Sequence, residues 1–321
     1  RRPAGRQIIR PLGHPLSRPR TAITINVRGL KLGAHPYSPT VHGQLHLVAG
    51  PIGNLGDISL RALAVLREAD VIACEDTRVT RKLLSAHNID RPLLSYHEHN
   101  ADKIRPRIIE SLKNGKSVAL LSDAGTPLVS DPGYKLVKAV VAQNLPVTAL
   151  PGASAVLAAL CLSGLPSDRF LFAGFLPPKS GARRRTLEEL RSVPATLIFF
   201  ESAKRLPAML LDATAVLGAQ RPTAVARELT KLFEEVRRGD LGELADRYQE
   251  AGSPKGEVVV LFGPPPPADP REQADQLDDL LREALQSQTS LRDAVVEVMT
   301  RSGLPKRQVY ARALELSKEE T

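Results

Sequence analysis

The sequence predicts two α/β domains followed by a small helical appendage. Short apolar strands alternate with helical segments over residues 45–165, which indicates a mostly parallel sheet covered by helices. A second series of strands and helices covers residues 166–263. Four consecutive prolines then open a stiff linker, residues 264–275, and residues 276–321 show helical periodicity alone. We therefore expect three folded units joined by short breaks.

In the first domain, each predicted strand is a short apolar run and each predicted helix carries apolar residues at helical spacing. The strands are 45–49, 71–74, 117–121 and 147–150, and the helices are 60–66, 78–86, 104–112, 134–142 and 153–162. The last helix consists of small apolar residues, so we expect it to pack closely on the sheet of this domain. Gly164 and Pro166 then break the pattern, and we place the domain boundary there.

The second domain and the appendage are predicted by the same reasoning. Apolar runs at 170–175, 196–200, 224–226 and 257–262 predict strands, with helices near 186–190 and 206–217. Beyond the linker, apolar spacing predicts helices near 277–285, 291–299 and 306–316 with a glycine-containing turn, which resembles a helix-turn-helix. These helices either pack on the body of the protein or contact nucleic acid through Lys306, Arg307 and Arg312.

The positive charge of the chain is concentrated near its start. Of the net charge of +9, eight positive charges lie in residues 1–44, which hold six prolines and no acidic residue. We expect this basic tail to be disordered. It is an arm for nucleic acid, an organellar address or an extension without a folded role, and the absence of an amphipathic pattern favours the last. The rest of the chain is nearly neutral.

The composition argues against several functional classes. No run approaches the roughly 20 apolar residues that span a bilayer, so we expect a cytoplasmic protein. Cys74 and Cys161 lie in apolar surroundings and are expected to be reduced core residues, not a disulfide or zinc ligands. Because aromatic residues make up 4% of the chain, stacking platforms for single-stranded nucleic acid are not expected.

Three rigid loops follow three of the predicted strands of the first domain. They are residues 50–57, 122–133 and 151–155, and they are rich in glycine, proline and small polar residues. Such loops fix the backbone and leave amide groups free to face a ligand. Loops at the carboxyl ends of neighbouring parallel strands line one crevice. The pattern is neither a Walker loop nor a GxGxxG fingerprint, so we expect a nucleoside-type cofactor held by backbone amides and Asp123.

Two further polar segments follow strands of the first domain. Glu75, Asp76 and Arg78 come directly after the strand 71–74. Asp76 or Thr77 could cap the next helix, and the acids with the arginine could also orient a hydroxyl group or a phosphate. In the segment 96–100, YHEHN, the histidines suggest metal ligands, but too few other ligands are nearby. We expect a substrate-facing polar loop there and no metal site.

In the second domain, acidic and basic residues stand together just past two apolar strands. Glu201 and Lys204 follow the strand 196–200, and Arg227 lies in the charged run that follows 224–226. A charged run is usually a solvated surface. Two such runs at strand ends, however, are placed to form the opposite wall of the crevice.

The ordered set of these segments resembles the ribosomal RNA small subunit methyltransferase I family of the tetrapyrrole methylase superfamily. The resemblance covers nearly all of residues 45–262, and the helical end is similar to that family's C-terminal helix-turn-helix. The residues that carry it are GPIGNL at 50–55, EDTR at 75–78, HEHN at 97–100, SDAGTP at 122–127, PGASA at 151–155, GFLP at 174–177, RELTK at 227–231 and KGE at 255–257. The tail 1–44 lies outside it.

The resemblance implies a fold, a cofactor, a reaction and partners. The fold is the two-domain tetrapyrrole methylase fold, a class III methyltransferase, with S-adenosylmethionine between the domains of each subunit of a homodimer. The reaction is 2′-O-methylation of a cytidine ribose in the decoding region of 16S ribosomal RNA in a 30S-type small subunit. The implied cofactor contacts are Pro51, Ser122, Asp123, Ala124, Thr126, Ser154, Ala155, Glu201 and Leu229.

The chain departs from this family at one segment, since the usual Tyr-Glu-Ser-Pro-His-Arg is FESAKR at 200–205. A role of that Tyr or His therefore does not transfer, although Lys204 keeps a positive group. For the proton of the attacking hydroxyl, Glu75, Asp76 and Glu201 are candidate acceptors. Arg78, Lys204 and Arg227 are candidates for orienting phosphate or ribose.

Two alternative functions are weighed against this one. A small-molecule methylase acting on a tetrapyrrole would need neither the helical appendage nor the charged segments. A noncatalytic RNA-binding factor for ribosome assembly would not need intact cofactor loops.

Overall fold

A computed structural model describes residues 43–266, 270–287, 290–302 and 304–319 of the chain. The side chains of residues 270–276, 318 and 319 are outside this description. The predicted basic tail lies outside the described residues except for its last two positions, and so does part of the predicted linker.

The first sheet is parallel throughout, as the alternation of strands and helices predicts. Its order is β3-β2-β4-β1-β5, and every neighbouring pair runs in the same direction. The strands are β1 (Leu45–Val48), β2 (Val71–Cys74), β3 (Leu93–Ser95), β4 (Val118–Leu121) and β5 (Val147–Leu150). The helices are α1 (Leu60–Glu68), α2 (Thr77–Ala86), α3 (Ala101–Lys113), α4 (Tyr134–Ala142) and α5 (Ala155–Ser163). The three-residue β3 is the one strand of this sheet that the sequence pattern did not predict.

Helices cover both faces of this sheet, so β4 is buried along its whole length and has a continuous apolar sequence. Leu66 of α1 and Leu84 of α2 pack with Leu121 on one face. On the other face, Ile108 of α3 and Leu136 of α4 pack against the sheet.

The second sheet is mixed, with the order β6-β7-β10-β8-β9. Its first pair is parallel and the other pairs are antiparallel. The strands are β6 (Phe170–Phe175), β7 (Thr196–Ser202), β8 (Pro222–Arg227), β9 (Glu235–Asp240) and β10 (Glu257–Phe262). Three helices, α6 (Ser180–Leu190), α7 (Leu206–Leu217) and α8 (Leu241–Ala251), pack their apolar residues against one face. β9 and α8 were not predicted.

Helix α5 joins the two sheets, because it covers the other face of the second sheet. Val156, Ala159 and Leu160 of α5 belong to the same buried cluster as Ile198, Ala224 and Leu261 of the second sheet. The prediction that this helix packs on the sheet of the first domain is therefore wrong, because its buried residues pack on the second sheet. Arg238 of β9 reinforces the contact, since its Nε donates to the carbonyl of Leu162 at 3.0 Å.

Helices α9 (Pro270–Ser287), α10 (Leu291–Ser302) and α11 (Lys306–Glu319) form a unit with a core of its own, built around Leu281, Val298 and Val309. Asp278 receives two bonds of 2.6 Å from Arg312. The Arg312 guanidinium is thus bound within the unit, whereas Lys306 and Arg307 are exposed. Within the part of the chain that the structure describes, no helix is long and apolar enough to cross a membrane.

Candidate functional site

The three glycine- and proline-rich loops of the first domain meet at one edge of the sheet. They follow β1, β4 and β5, which are neighbours in the order β4-β1-β5. Gly50 and Gly125 exchange two backbone hydrogen bonds of 2.9 and 3.1 Å. Thr126 donates to the carbonyl of Ala153 at 3.3 Å and so connects the second loop with the third. The predicted convergence of these loops is confirmed, because adjacent parallel strands end at the same edge.

A cavity of about 490 Å³ lies between these loops and the second sheet. This volume is within the range of small-molecule and cofactor sites. Among the residues for which cofactor contacts were predicted, six line it: Ala124, Thr126, Ser154, Ala155, Glu201 and Leu229. Pro51, Ser122 and Asp123 do not line this cavity; Ser122 and Asp123 border a small recess beside it.

Several further lining residues were not among the predicted cofactor contacts, although most of them lie in segments expected to form the crevice. The first domain adds Ile52, Val129, Ser130 and Asp131, and the second adds Phe175, Phe200, Gly256 and Glu257. The rings of Phe175 and Phe200 meet edge to face at 5.7 Å. The sequence carried a signal for part of this wall, because the KGE segment at 255–257 precedes an apolar strand. The position of this segment opposite the loops depends on how the second sheet packs on α5.

Glu201 lies near the end of β7, and each oxygen of its carboxylate accepts a hydrogen bond. The residue is 3% exposed, accepts from the backbone N–H of Ser202 at 2.7 Å and pairs with Arg205 at 3.0 Å. Arg205 also donates to the carbonyl of Leu176 at 2.6 Å. This arrangement anchors the wall of the cavity and engages both carboxylate oxygens of Glu201.

Lys204 and Arg227 stand outside the lining of the cavity. Lys204 is exposed. Arg227 pairs with Glu235 of the neighbouring strand at 3.2 Å and donates to the carbonyl of Lys255 at 3.1 Å. The structure therefore places Lys204 in solvent and gives Arg227 a role in holding β8, β9 and the start of β10 together.

The segment after β2 caps the next helix. Asp76 is the N-cap of α2 and accepts from the N–H of Arg78 at 2.8 Å, which confirms the capping interpretation. Hydrogen bonds from the side chain and backbone of Arg78 hold the pKa of Asp76 at about 2, so this carboxylate is a weak base at neutral pH. Glu75 is exposed and borders the recess that also contains Asp123.

Asp123 accepts a hydrogen bond from the N–H of Asp76 at 3.1 Å, and its environment disfavours its charge. Burial, together with the nearby charges of Glu75, Asp76 and Asp131, raises the pKa of Asp123 to about 6. Within the folded protein this carboxyl group therefore changes its charge close to neutral pH.

The raised pKa of Asp123 predicts a pH-dependent effect of Asp123→Asn. Between about pH 4 and pH 6 the folded state binds more protons than the unfolded chain, so the wild type loses stability as pH rises through this window. Asp123→Asn keeps an acceptor for the backbone N–H of Asp76, and its stability does not fall as pH rises through this window. We expect it to be more stable than the wild type by about 1–2 kcal/mol at pH 7.5 and equally stable at pH 4. Urea unfolding across this range measures the difference; a constant difference would contradict the assignment.

Lys231 connects both walls near the cavity. Its ammonium pairs with Glu228 and with Glu257 at 2.8 Å each. Its stem crosses to the first domain and packs on Gly53, where a Cβ atom would lie 2.5 Å from Lys231 Cγ. Gly53 has a φ of +146°, which other residues rarely adopt. The lysine thus ties the 228–234 loop to the loop after β1.

A double-mutant cycle tests this contact. Gly53→Ala strains the backbone in any background, but it collides with the lysine stem only when Lys231 is present. We therefore expect Gly53→Ala to cost about 1 kcal/mol more in the wild type than in Lys231→Ala. Urea unfolding of the four proteins measures this coupling, and strictly additive effects would show that the stem does not press on Gly53. Lys231→Met, which keeps a long apolar stem, serves as the control and should retain the full cost.

Comparison with known proteins defines first the class and then the family. Residues 44–245 match the tetrapyrrole (corrin/porphyrin) methylases, the class of protein to which this two-domain fold and its cleft correspond. Residues 271–317 match the RsmI C-terminal HTH domain. Within the class, the chain belongs to the ribosomal RNA small subunit methyltransferase I family. The member from Mesorhizobium japonicum is 52% identical, over 89% of this chain and 95% of its own. The member from Erythrobacter litoralis is 51% identical, over 88% and 97%.

Solved structures confirm the fold class. A cobalt precorrin-4 methyltransferase of cobalamin biosynthesis superposes with a TM-score of 0.53 at 18% identity, over 69% of this chain and 95% of its own. A diphthine synthase superposes with a TM-score of 0.54 at 19% identity, over 68% and 90%. At this identity the likeness concerns the fold alone. In the described part of the chain, no group of three His, Cys, Asp or Glu residues is arranged to hold a metal ion.

Proposed function

We propose that this protein methylates the 2′-hydroxyl of a cytidine in the decoding region of small-subunit ribosomal RNA. The observation that carries the proposal is the cavity between the two domains, in a chain whose relatives named as ribosomal RNA small subunit methyltransferase I cover nearly its whole length. The nucleotide and its position are what the family resemblance implies. A ribosomal substrate places the protein in the cytoplasm.

The methyl donor is S-adenosylmethionine, as membership of the methylase family assigns. The residues present fit it, because the cavity has the size of a nucleoside-type ligand and apolar walls at Ile52 and Leu229. Gly125, with a φ of +75°, lets the loop backbone come close to a ligand. Thr126, Ser154 and Ala155 would hold the cofactor from the first domain, and Leu229 would hold it from the second. When bound, the cofactor supplies a sulfonium-activated methyl group.

The protein's own contribution is to position the ribose and to remove a proton. The rings of Phe175 and Phe200 and the apolar loop residues give this part of the cavity an apolar wall. Arg78, whose side chain is 84% exposed, and Lys204 extend from the two domains into solvent, where they can contact phosphate groups of the RNA. Positioning of this kind supplies a large part of the rate in a direct displacement.

We propose that the protein works as a homodimer, in keeping with the resemblance. Leu232 and Phe233, in the loop between β8 and β9, are 90% and 66% exposed. Apolar side chains exposed to this degree are typical of a contact surface. Leu229 of the same loop lines the cavity, so a second copy seated on this loop would support the site. Sedimentation should find a dimer that Leu232→Ser with Phe233→Ser weakens, and a monomeric wild type would contradict the dimer.

The function is tested with small subunits from a bacterial strain that lacks this methylation. Purified protein and methyl-labelled cofactor are incubated with small subunits, large subunits and naked ribosomal RNA. Label should enter small-subunit RNA, and nucleoside mass spectrometry should find it in 2′-O-methylcytidine of the decoding region. Label in a base, in large subunits alone or in no RNA would overturn the proposal. Transfer to a tetrapyrrole acceptor in place of RNA would support the small-molecule alternative.

A further inference from the structure

The carboxylates that line the cavity differ in whether a cation neutralises them. Among the described lining residues, the acids are Asp131, Glu201 and Glu257. Glu201 pairs with Arg205 at 3.0 Å, and Glu257 pairs with Lys231 at 2.8 Å. In the described part of the chain, no Lys, Arg or His lies within salt-bridge distance of Asp131, which makes this residue the lining carboxylate without a cationic partner.

The loop that carries Asp131 is built in an unfavourable conformation. Leu128 and Ser130 have φ values of +71° and +61°, in the left-handed region that costs non-glycine residues about 1 kcal/mol or more each. Pro132 follows and restricts the backbone on the other side. Strain of this kind persists where the surroundings hold a residue in a required place, and here that place is the cavity wall.

Ser122 gives Asp131 a partner in either protonation state. The Ser122 hydroxyl donates to Oδ2 of Asp131, lies 2.9 Å from the carbonyl of Ala124 and accepts from the N–H of Ala124 at 3.2 Å. When Asp131 is ionised, the hydroxyl donates to it. When Asp131 is protonated, its O–H can donate to Ser122, whose hydroxyl then turns to the Ala124 carbonyl. Proton uptake therefore leaves no buried group without a partner.

The surroundings of Asp131 also favour its protonated form. Burial, with a contribution from the charge of Glu75, raises the pKa of Asp131. The other titratable groups that face it across the small recess are Asp123 after β4 and Tyr96 after β3. A carboxylate whose pKa is raised toward neutrality is a better general base than one held low by a cation.

We propose that Asp131 is the group that accepts the proton of the substrate's ribose hydroxyl. This inference rests on the proposed function. In the reaction the ribose oxygen forms a bond to the methyl carbon, the carbon–sulfur bond breaks, and its electron pair stays on sulfur. The hydroxyl proton passes to the carboxylate of Asp131, whose O–H then donates to Ser122, and leaves from there to solvent.

The test compares Asp131→Asn and Ser122→Ala with the wild type and with Glu188→Gln, which changes an exposed carboxylate on α6. Single-turnover methyl transfer to small subunits is measured at saturating cofactor from pH 5.5 to 9. We expect Asp131→Asn to slow transfer by about 100-fold or more. Asp131→Glu should restore part of the rate. Ser122→Ala should displace the acid limb of the pH–rate profile, and Glu188→Gln should match the wild type.

Two readouts do not depend on activity. Binding of S-adenosylhomocysteine by calorimetry should stay within twofold of the wild type in Asp131→Asn. In the cofactor-free protein, the same variant should lose less stability than the wild type as pH rises from 4 to 7, because the folded wild type holds this proton more tightly than the unfolded chain. An Asn variant that keeps more than a third of the rate, or loses rate and binding together, would overturn the assignment.

Different results refute the proposed function and the role of Asp131. A wild type that methylates no RNA refutes the proposed function. A wild type that methylates small subunits beside an equally active Asp131→Asn refutes only the role of Asp131. If Asp131→Asn does not fold, an unchanged pH–rate profile in Ser122→Ala also refutes it.

Discussion

Asp212→Asn is expected to lower the free energy of unfolding by about 3–5 kcal/mol. Asp212 lies on α7, is 4% exposed and receives hydrogen bonds from Ser180 at 2.9 Å, Arg183 at 2.7 Å and Arg184 at 2.6 Å. Arg183 is equally buried, at 4% exposure. The neutral side chain in Asp212→Asn would leave the guanidinium of Arg183 buried without a counter-charge. A buried charge without a partner costs far more stability than the loss of a surface ion pair. Urea unfolding at pH 7 measures the effect.

Two further variants make this result specific. Glu188→Gln removes the partner of Arg191 on the surface of α6, where the side chains are 59% and 60% exposed, and should change stability by about 0.5 kcal/mol at most. Replacing Arg183 and Asp212 together by leucine removes both buried charges and should recover much of the loss. A cost below about 1 kcal/mol for Asp212→Asn would show that Arg183 finds another partner or water in the variant.

The elements that the sequence pattern predicts best are those whose burial is uniform. The strands β1, β2 and β4 are nearly continuous apolar runs because helices cover both faces of their sheet, whereas β5, an edge strand, is only partly buried. β9 escapes prediction because its sequence, EVRRGD, is charged and lacks alternation, as suits an edge strand. It is a strand because β8 supplies its partners and because Arg237 pairs with Glu235 at 2.6 Å and stacks over Tyr248.

The two halves of the candidate site also differ in how far the sequence predicts them. The half made by the first domain could be predicted, since adjacent parallel strands bring their following loops together. The half made by the second domain could be predicted only in part: Glu201 and Leu229 line the cavity as expected, but Lys204 and Arg227 do not, because the placement of this wall depends on how the second sheet packs on α5. Whether a charged residue is free is likewise invisible in sequence: Glu201, Arg227 and Arg312 read as available groups, and all three are paired in the fold. Among the residues that the structure describes, no Lys, Arg or His pairs with Asp131, and the sequence around Asp131 does not indicate this.

Gly50→Ala should separate the two loops on which the cofactor site is built. A Cβ atom at this position would lie 2.5 Å from the carbonyl oxygen of Ser122. Because that atom belongs to the backbone, no side chain can turn away, and the loop after β4 has to move. The shift breaks the pair of hydrogen bonds with Gly125, which contribute about 1 kcal/mol each. We expect stability to fall by about 2–3 kcal/mol and S-adenosylhomocysteine to bind at least about 10-fold more weakly.

Gly56→Ala is the matched control in the same segment. A Cβ atom there would have only the Oδ1 atom of Asn54 nearby, at 3.3 Å, and that side chain can adjust. The variant should bind S-adenosylhomocysteine like the wild type and unfold within about 0.5 kcal/mol of it. Calorimetry measures S-adenosylhomocysteine binding, and urea unfolding measures stability, in the wild type, Gly50→Ala and Gly56→Ala. If Gly50→Ala keeps wild-type binding, the cofactor does not depend on the Gly50–Gly125 junction; if both variants lose binding alike, the contact with Ser122 is not the cause.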